Sequence, residues 1–196
     1  MTRWIGMQQA FKEWDAVCHF LGAGEQSILL RKGGIAEGRA GFSFKHESFF
    51  LYPTAFHEAG EALKWPVAPG PSRDLEKEGV QLSYFARAEW SVLLDDWAQV
   101  EALAPLHCWT ENVVRERFTW NEKSGRDCLS LALVRVFQLR EPFGFPYQKR
   151  YGGCRSWIEV PEPEGEWQAN WRPVVSDEVH QERDQRARAL VGRSPT

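Results

Sequence analysis

Residues 80–94 read VQLSYFARAEWSVLL, and Leu82, Tyr84 and Trp90 fit half-buried alternation. Period two over that length is the signature of a strand with one face on a core. Residues 129–139 (LSLALVRVFQL) read as another strand. Upstream, residues 48–52 (SFFLY) form a strand that Pro53-Thr54 stops, and residues 42–44 (FSF) alternate. Residues 27–32 (SILLRK) run as a strand into Gly33-Gly34, a turn that calls for positive φ. Residues 154–160 (CRSWIEV) make the last element of the core and end at Pro161.

Between these strands lie helix signals. From residue 7 to 21 the apolar positions are Ala10, Phe11, Trp14, Val17, Cys18 and Leu21, which predicts a helix closed by Gly22 and Gly24. Thr54 is an N-cap candidate for a short helix over 56–64. Asp95-Asp96 cap a helix over 97–103, and Thr110-Glu111 open another to about 118. Residues 65–72 (WPVAPGPS) are a loop. The expected fold is α+β, a mixed or antiparallel sheet flanked by short helices. One domain is expected over residues 1–161. Residues 162–196 are expected as a charged C-terminal tail, helical or partly disordered, because 176–191 is helix-permissive with a weak apolar face.

A chain of 196 residues with 43% hydrophobic residues, 10 Trp and 12 Phe can bury a sizeable core. Cys18, Cys108, Cys128 and Cys154 form no C-x-x-C pair, so zinc-ribbon spacing is absent and free thiols in a reducing compartment are expected. The opening residues lack a signal-peptide apolar region, and no apolar run approaches a membrane span of about 18 residues. The expectation is a cytoplasmic protein with no membrane partner and no cofactor.

Several catalytic signatures fail. Walker A and GxSxG are absent. His57-Glu58-Ala59-Gly60-Glu61 resembles the zinc-protease pattern but carries Glu where the second imidazole belongs, so no metal site is assigned. None of the seven lysines has Asp or Glu two residues before it, the spacing a restriction-type nuclease uses. The glutamate-dense Nudix helix is missing too.

The positive signals are basic and aromatic. Arg outnumbers Lys 17 to 7, and arginine suits bidentate phosphate recognition. Arg31 and Lys32 precede Gly33-Gly34. Residues 147–157 (YQKRYGGCRSW) combine cations, rings and a second glycine pair. Arg31, Lys32, Gly33, Gly34, Lys149, Arg150 and Arg155 are therefore the candidate phosphate or nucleic-acid contacts, joined by backbone amides at Gly152-Gly153. Tyr151 and Trp157 are the candidate stacking rings. The net charge of −3 does not forbid a basic face, because seven acids meet five arginines between residues 162 and 196. His57, with Glu37 or Glu58 as orienter or metal ligand, is the candidate acid or base for catalysis; His46 and His107 are the other histidine candidates.

Four stretches together resemble one known family: Ala10-Phe11-Lys12-Glu13-Trp14; residues 28–35 (ILLRKGGI) with Glu37; residues 49–54 (FFLYPT) with His57; and residues 153–159 (GCRSWIE). They are similar to the bacterial domain-of-unknown-function family numbered 1802, over about residues 8–160. The chain departs from the pattern at Glu58, where the family has Gln. The resemblance implies a link to restriction–modification, with this chain as the recognition partner and not the cutter. Three readings stay open: a nucleic-acid-binding or accessory module with DNA or RNA as partner; an enzyme acting on a phosphorylated small molecule or nucleic acid through His57; and a structural module that binds a protein.

Overall fold

The computed structural model describes residues 7–32, 44–54, 59–66, 75–119, 127–165 and 167–192. Its N-terminal segment departs from the helix that the apolar spacing predicts. Met7–Trp14 form a strand, β1, and only Asp15–Gly22 form a helix, α1. Ala10 and Phe11 are neighbours on β1, and both are fully buried. They enter different apolar clusters on opposite faces of the sheet. A strand covered on both faces loses its alternation, and its run continuing into α1 imitates a helical period.

The remaining elements follow the expected order more closely. They are β2 (Ile28–Arg31), β3 (Ser48–Thr54), α2 (Ala59–Ala62), α3 (Leu75–Glu78), β4 (Val80–Leu94), α4 (Trp97–Ala102), α5 (Glu111–Thr119), β5 (Leu129–Phe145), β6 (Trp157–Pro161), β7 (Trp171–Pro173) and α6 (Asp177–Leu190). Asp96 caps α4 by accepting from the Ala98 N–H at 2.9 Å. Thr54 ends β3, and its hydroxyl donates across to the Glu13 carbonyl at 3.0 Å; residues 55–58, where a helix capped by Thr54 would begin, lie outside the described residues.

The strands form one mixed sheet in the order β2-β5-β4-β3-β1-β6, with β7 also on β5. β1 and β3 are parallel, and the other pairs are antiparallel. The fold is therefore α+β. β4 and β5 run together with register shifts between Leu82 and Tyr84 and between Ala88 and Trp90. Such bulges increase local twist. Arg31, at the end of β2, donates from Nη2 to the Lys12 carbonyl on β1 at 3.0 Å and to Ser156 Oγ at 3.1 Å. The sheet thus curls until side chains join its two ends.

Two cores result. The larger gathers Phe11, Val17, Phe20, Leu29, Phe49, Trp109, Phe118 and Leu133 around α1 and α5. The smaller, on the opposite face, holds Phe50, Tyr52, Leu82, Phe85 and Tyr151, with Trp167 and Trp171 packed against it.

The stretch after Pro161 carries β7 and α6. Ser176 caps α6, accepting from the Val179 N–H at 3.4 Å. Ala187 and Val191 are buried in the larger core. Arg183 donates to Ser27 Oγ at 2.8 Å and to the Gly24 carbonyl. Asp184 accepts from Trp90 Nε1 at 2.6 Å and from Arg188 Nε at 2.8 Å. Among the described residues no helix is long and apolar enough to cross a membrane.

Candidate functional site

β1 delivers Lys12, Glu13 and Trp14 to the place where the sheet closes. Lys12 is tied to the segment before β6 by its backbone N–H, which donates to the Ser156 carbonyl at 2.8 Å. Its Nζ donates to the Gly153 carbonyl at 2.7 Å. Gly153 adopts φ 76°, and no atom lies within 4 Å of where its Cβ would stand. Glycine is needed there for the left-handed turn and not for lack of room. Burial pulls the Lys12 ammonium below its ordinary pKa. Cys154 opposes that pull, while the Arg155 and Arg31 guanidinia add to it. Three cations from three distant segments therefore share one field.

Arg31 completes the junction. Its Nη1 lies 3.8 Å from Glu13 Oε1, and its guanidinium sits 4.9 Å from the Phe11 ring centre. Glu13 is 1% exposed. Its Oε1 accepts from the Trp14 N–H at 2.8 Å, whereas its Oε2 has no hydrogen-bond partner among the described residues. Arg117, from α5, lies 3.8 Å above the Trp109 ring and 5.7 Å from the Trp14 ring. Burial brings Arg117 down to about 10, opposed chiefly by Glu13.

The interior thiols are inert. Burial pushes Cys108 up to about 12 and Cys18 well above its usual value, so neither forms a thiolate near neutral pH. His107, 2% exposed, is brought down to about 3 by burial, Lys64 and Arg117. Its Nδ1 accepts from the Trp109 N–H at 3.2 Å, which gives it a core role. Among the described residues no group of three or more His, Cys, Asp or Glu side chains gathers to hold a metal.

The candidate contacts divide. Arg31 and the 153–157 segment come together through Ser156. Arg155 is exposed beside Lys12, and Lys149 and Arg150 are exposed on the turn before it. Lys32 follows Arg31 and is half-buried. The Gly152 N–H donates to the Lys149 carbonyl at 3.1 Å, so that amide already has a protein acceptor. Tyr151 requires a correction. It is 1% exposed, and its ring lies against Tyr52, Phe145 and Tyr147. Core packing takes the faces that ligand stacking would need. Trp157 is half-buried, its ring 4.9 Å from Phe11 and 5.0 Å from Phe49, with His46 edge-on at 4.9 Å. Gly33, Gly34, Glu37, His57 and Glu58 lie outside the described residues.

Glu13, Lys12, Trp14, Trp109 and Arg117 are the residues that charge clustering misses. Lys12, Glu13 and Trp14 stand in the AFKEW stretch, where an acid amid apolar positions is the available signal. Arg117 carries no such signal, because α5 reads as an ordinary polar helix.

The family model described as Domain of unknown function (DUF1802) matches residues 10–186, from β1 into α6. Similar solved structures include a mutant form of ASCH from Zymomonas mobilis, at TM-score 0.49 and 13% identity, covering 90% of this chain and 94% of that one. ASCH from Zymomonas mobilis itself gives TM-score 0.47 and 12% identity, covering 90% of this chain and 93% of that one. No curated protein matches the chain.

Proposed function

The chain belongs to the family Domain of unknown function (DUF1802), whose name assigns no activity, and from the geometry of the closing junction we propose that it is a nucleic-acid-binding module. The observation that carries this reading is the hydrogen bond from Arg31 to Ser156, which joins two basic segments 125 residues apart. Lys12, Arg31 and Arg155 interact electrostatically at that junction. Mutually repelling cations held close together favour an anion between them. Lys32, Lys149 and Arg150 extend the contact along the phosphate backbone, and the half-buried Trp157 edge borders it. In the restriction–modification setting that the family resemblance implies, the module holds nucleic acid and a separate protein cuts it. The free cysteines support a reducing compartment, the cytoplasm.

Fluorescence anisotropy with short single- and double-stranded DNA and RNA at low and moderate salt tests the reading. Replacing the exposed Lys149, Arg150 and Arg155 together with Ala lowers affinity across all sequences. It also flattens the slope of log K against log salt by roughly 0.7 to 0.9 per lost phosphate contact. Unchanged affinity in that variant, or no binding by the wild type at low salt, refutes the module.

A further inference from the structure

Resting on the nucleic-acid reading above, we infer that Glu13 is the residue through which this site reads a nucleobase: its free carboxylate oxygen accepts a hydrogen bond from an exocyclic amino group. A buried carboxylate oxygen needs a donor, because an unpaired charged acceptor in the interior is costly. Glu13 Oε2 is buried, and no described residue donates to it. Oε1 is already occupied by the Trp14 N–H, with Arg31 at 3.8 Å. Oε2 is therefore the carboxylate oxygen to which no described residue donates.

The charges around it point to the same ligand. One carboxylate, Glu13, faces two guanidinia, Arg31 and Arg117, and all three interact electrostatically. The exposed Glu116 carboxylate also acts on Arg117, more weakly than Glu13, which leaves the partly exposed Arg31 as the cation an anionic ligand would meet. Arg31 has 20% of its side chain exposed, and Trp14 and Thr54 beside Glu13 are half-buried. Glu13 itself is 1% exposed, so a ligand reaches Oε2 only if these partly exposed side chains move aside. A nucleotide meets each requirement: its phosphate goes to Arg31 and Lys12, its ring lies at the Trp14 indole, and its amino N–H reaches Oε2. Cytosine and adenine carry such an amino group. Uracil presents a carbonyl at the equivalent position, and that lone pair would face the carboxylate.

The experiment is anisotropy at low salt with short, labelled oligoribonucleotides of cytidine, adenosine or uridine. Wild-type protein is expected to bind the cytidine and adenosine strands about tenfold more tightly than the uridine strand. Glu13→Gln should bring the three affinities to within about twofold of one another. Glu13 is a core group, so a second measurement uses only wild-type protein. Deleting the exocyclic amino group, by putting purine in place of adenine, should cost the same tenfold. If the strands bind with equal affinity, or the purine strand binds as well as the adenosine strand, the role of Glu13 is overturned while the binding module stands. If no strand binds at low salt, the nucleic-acid reading falls and this inference falls with it.

Discussion

Lowering the pH to 5 should weaken this fold through one buried side chain, His107. The imidazole lies between the turn of Ala104–Leu106 and α5, 2% exposed. Burial, Lys64 and Arg117 hold it neutral down to about 3. The unfolded chain takes up the same proton near 6.5. Between those values the unfolded state binds more protons, so stability falls as pH drops from 6.5 toward 3 and is unaffected by this group above 6.5. At about 1.4 kcal/mol per pH unit, the loss at pH 5 is about 2 kcal/mol. Urea unfolding followed by tryptophan fluorescence reads it directly. With a slope of about 2 kcal/mol/M, the midpoint should drop by about 1 M between pH 7 and pH 5. Other titrating groups contribute as well, so the comparison is with His107→Asn. Asparagine keeps an acceptor for the Trp109 N–H and does not titrate. Its midpoint should move by about 1 M less than the wild-type midpoint over the same interval. Equal shifts in the two proteins would refute the assignment.

Other outcomes follow from specific contacts. A Cβ on Gly22 would stand 2.1 Å from the ring carbon Cζ of Tyr84. Gly22→Ala should therefore cost about 1–3 kcal/mol in urea unfolding, and adding Tyr84→Leu should recover part of that loss; strictly additive losses would contradict the close packing. Asp184→Ala removes the acceptor that Trp90 Nε1 and Arg188 Nε share, and calorimetry should register a loss of about 1–3 kcal/mol. Tyr151→Phe should leave nucleic-acid affinity unchanged, whereas Tyr151→Ala should destabilise the fold by about 3–5 kcal/mol in urea. A drop in affinity in a stable Tyr151→Phe protein would return Tyr151 to the interface.

The spacing of Leu82, Tyr84 and Trp90 marks β4, although the register shift after Leu82 puts Leu82 on the smaller core and Tyr84 and Trp90 against the larger one. Asp96 marks the start of α4 because a cap is a local signal. β1 carries a helix-like spacing because Ala10 and Phe11 are both buried, one to each face, and two-sided burial erases period two. The apolar positions after 161 are scattered, and that stretch docks through Trp167 and Trp171 on one core, Ala187 and Val191 in the other, and the polar contacts of Arg183 and Asp184. Of the candidate site, Arg31 and Arg155 were visible as cations in glycine-bearing segments. Their meeting was not, since it depends on which strands pair. Glu13 and Arg117 were hidden for a different reason: their importance comes from burial, and a charge reveals its burial only in three dimensions. Tyr151 is the converse case, a ring in a basic segment that the core claims.

The pairing of β1 with β6, Met7 opposite Pro161, has a consequence for biosynthesis. β1 leaves the ribosome about 150 residues before β6, one of its two neighbours. β2 waits similarly, since its partner residues on β5 begin at Ser130. Contacts so distant in sequence form slowly, and unpaired strand edges are where nascent chains associate wrongly. The apolar run of β2 and the Phe11 side chain of β1 must therefore be sheltered until β5 and β6 have been made. This chain should depend on holding chaperones more than its size suggests.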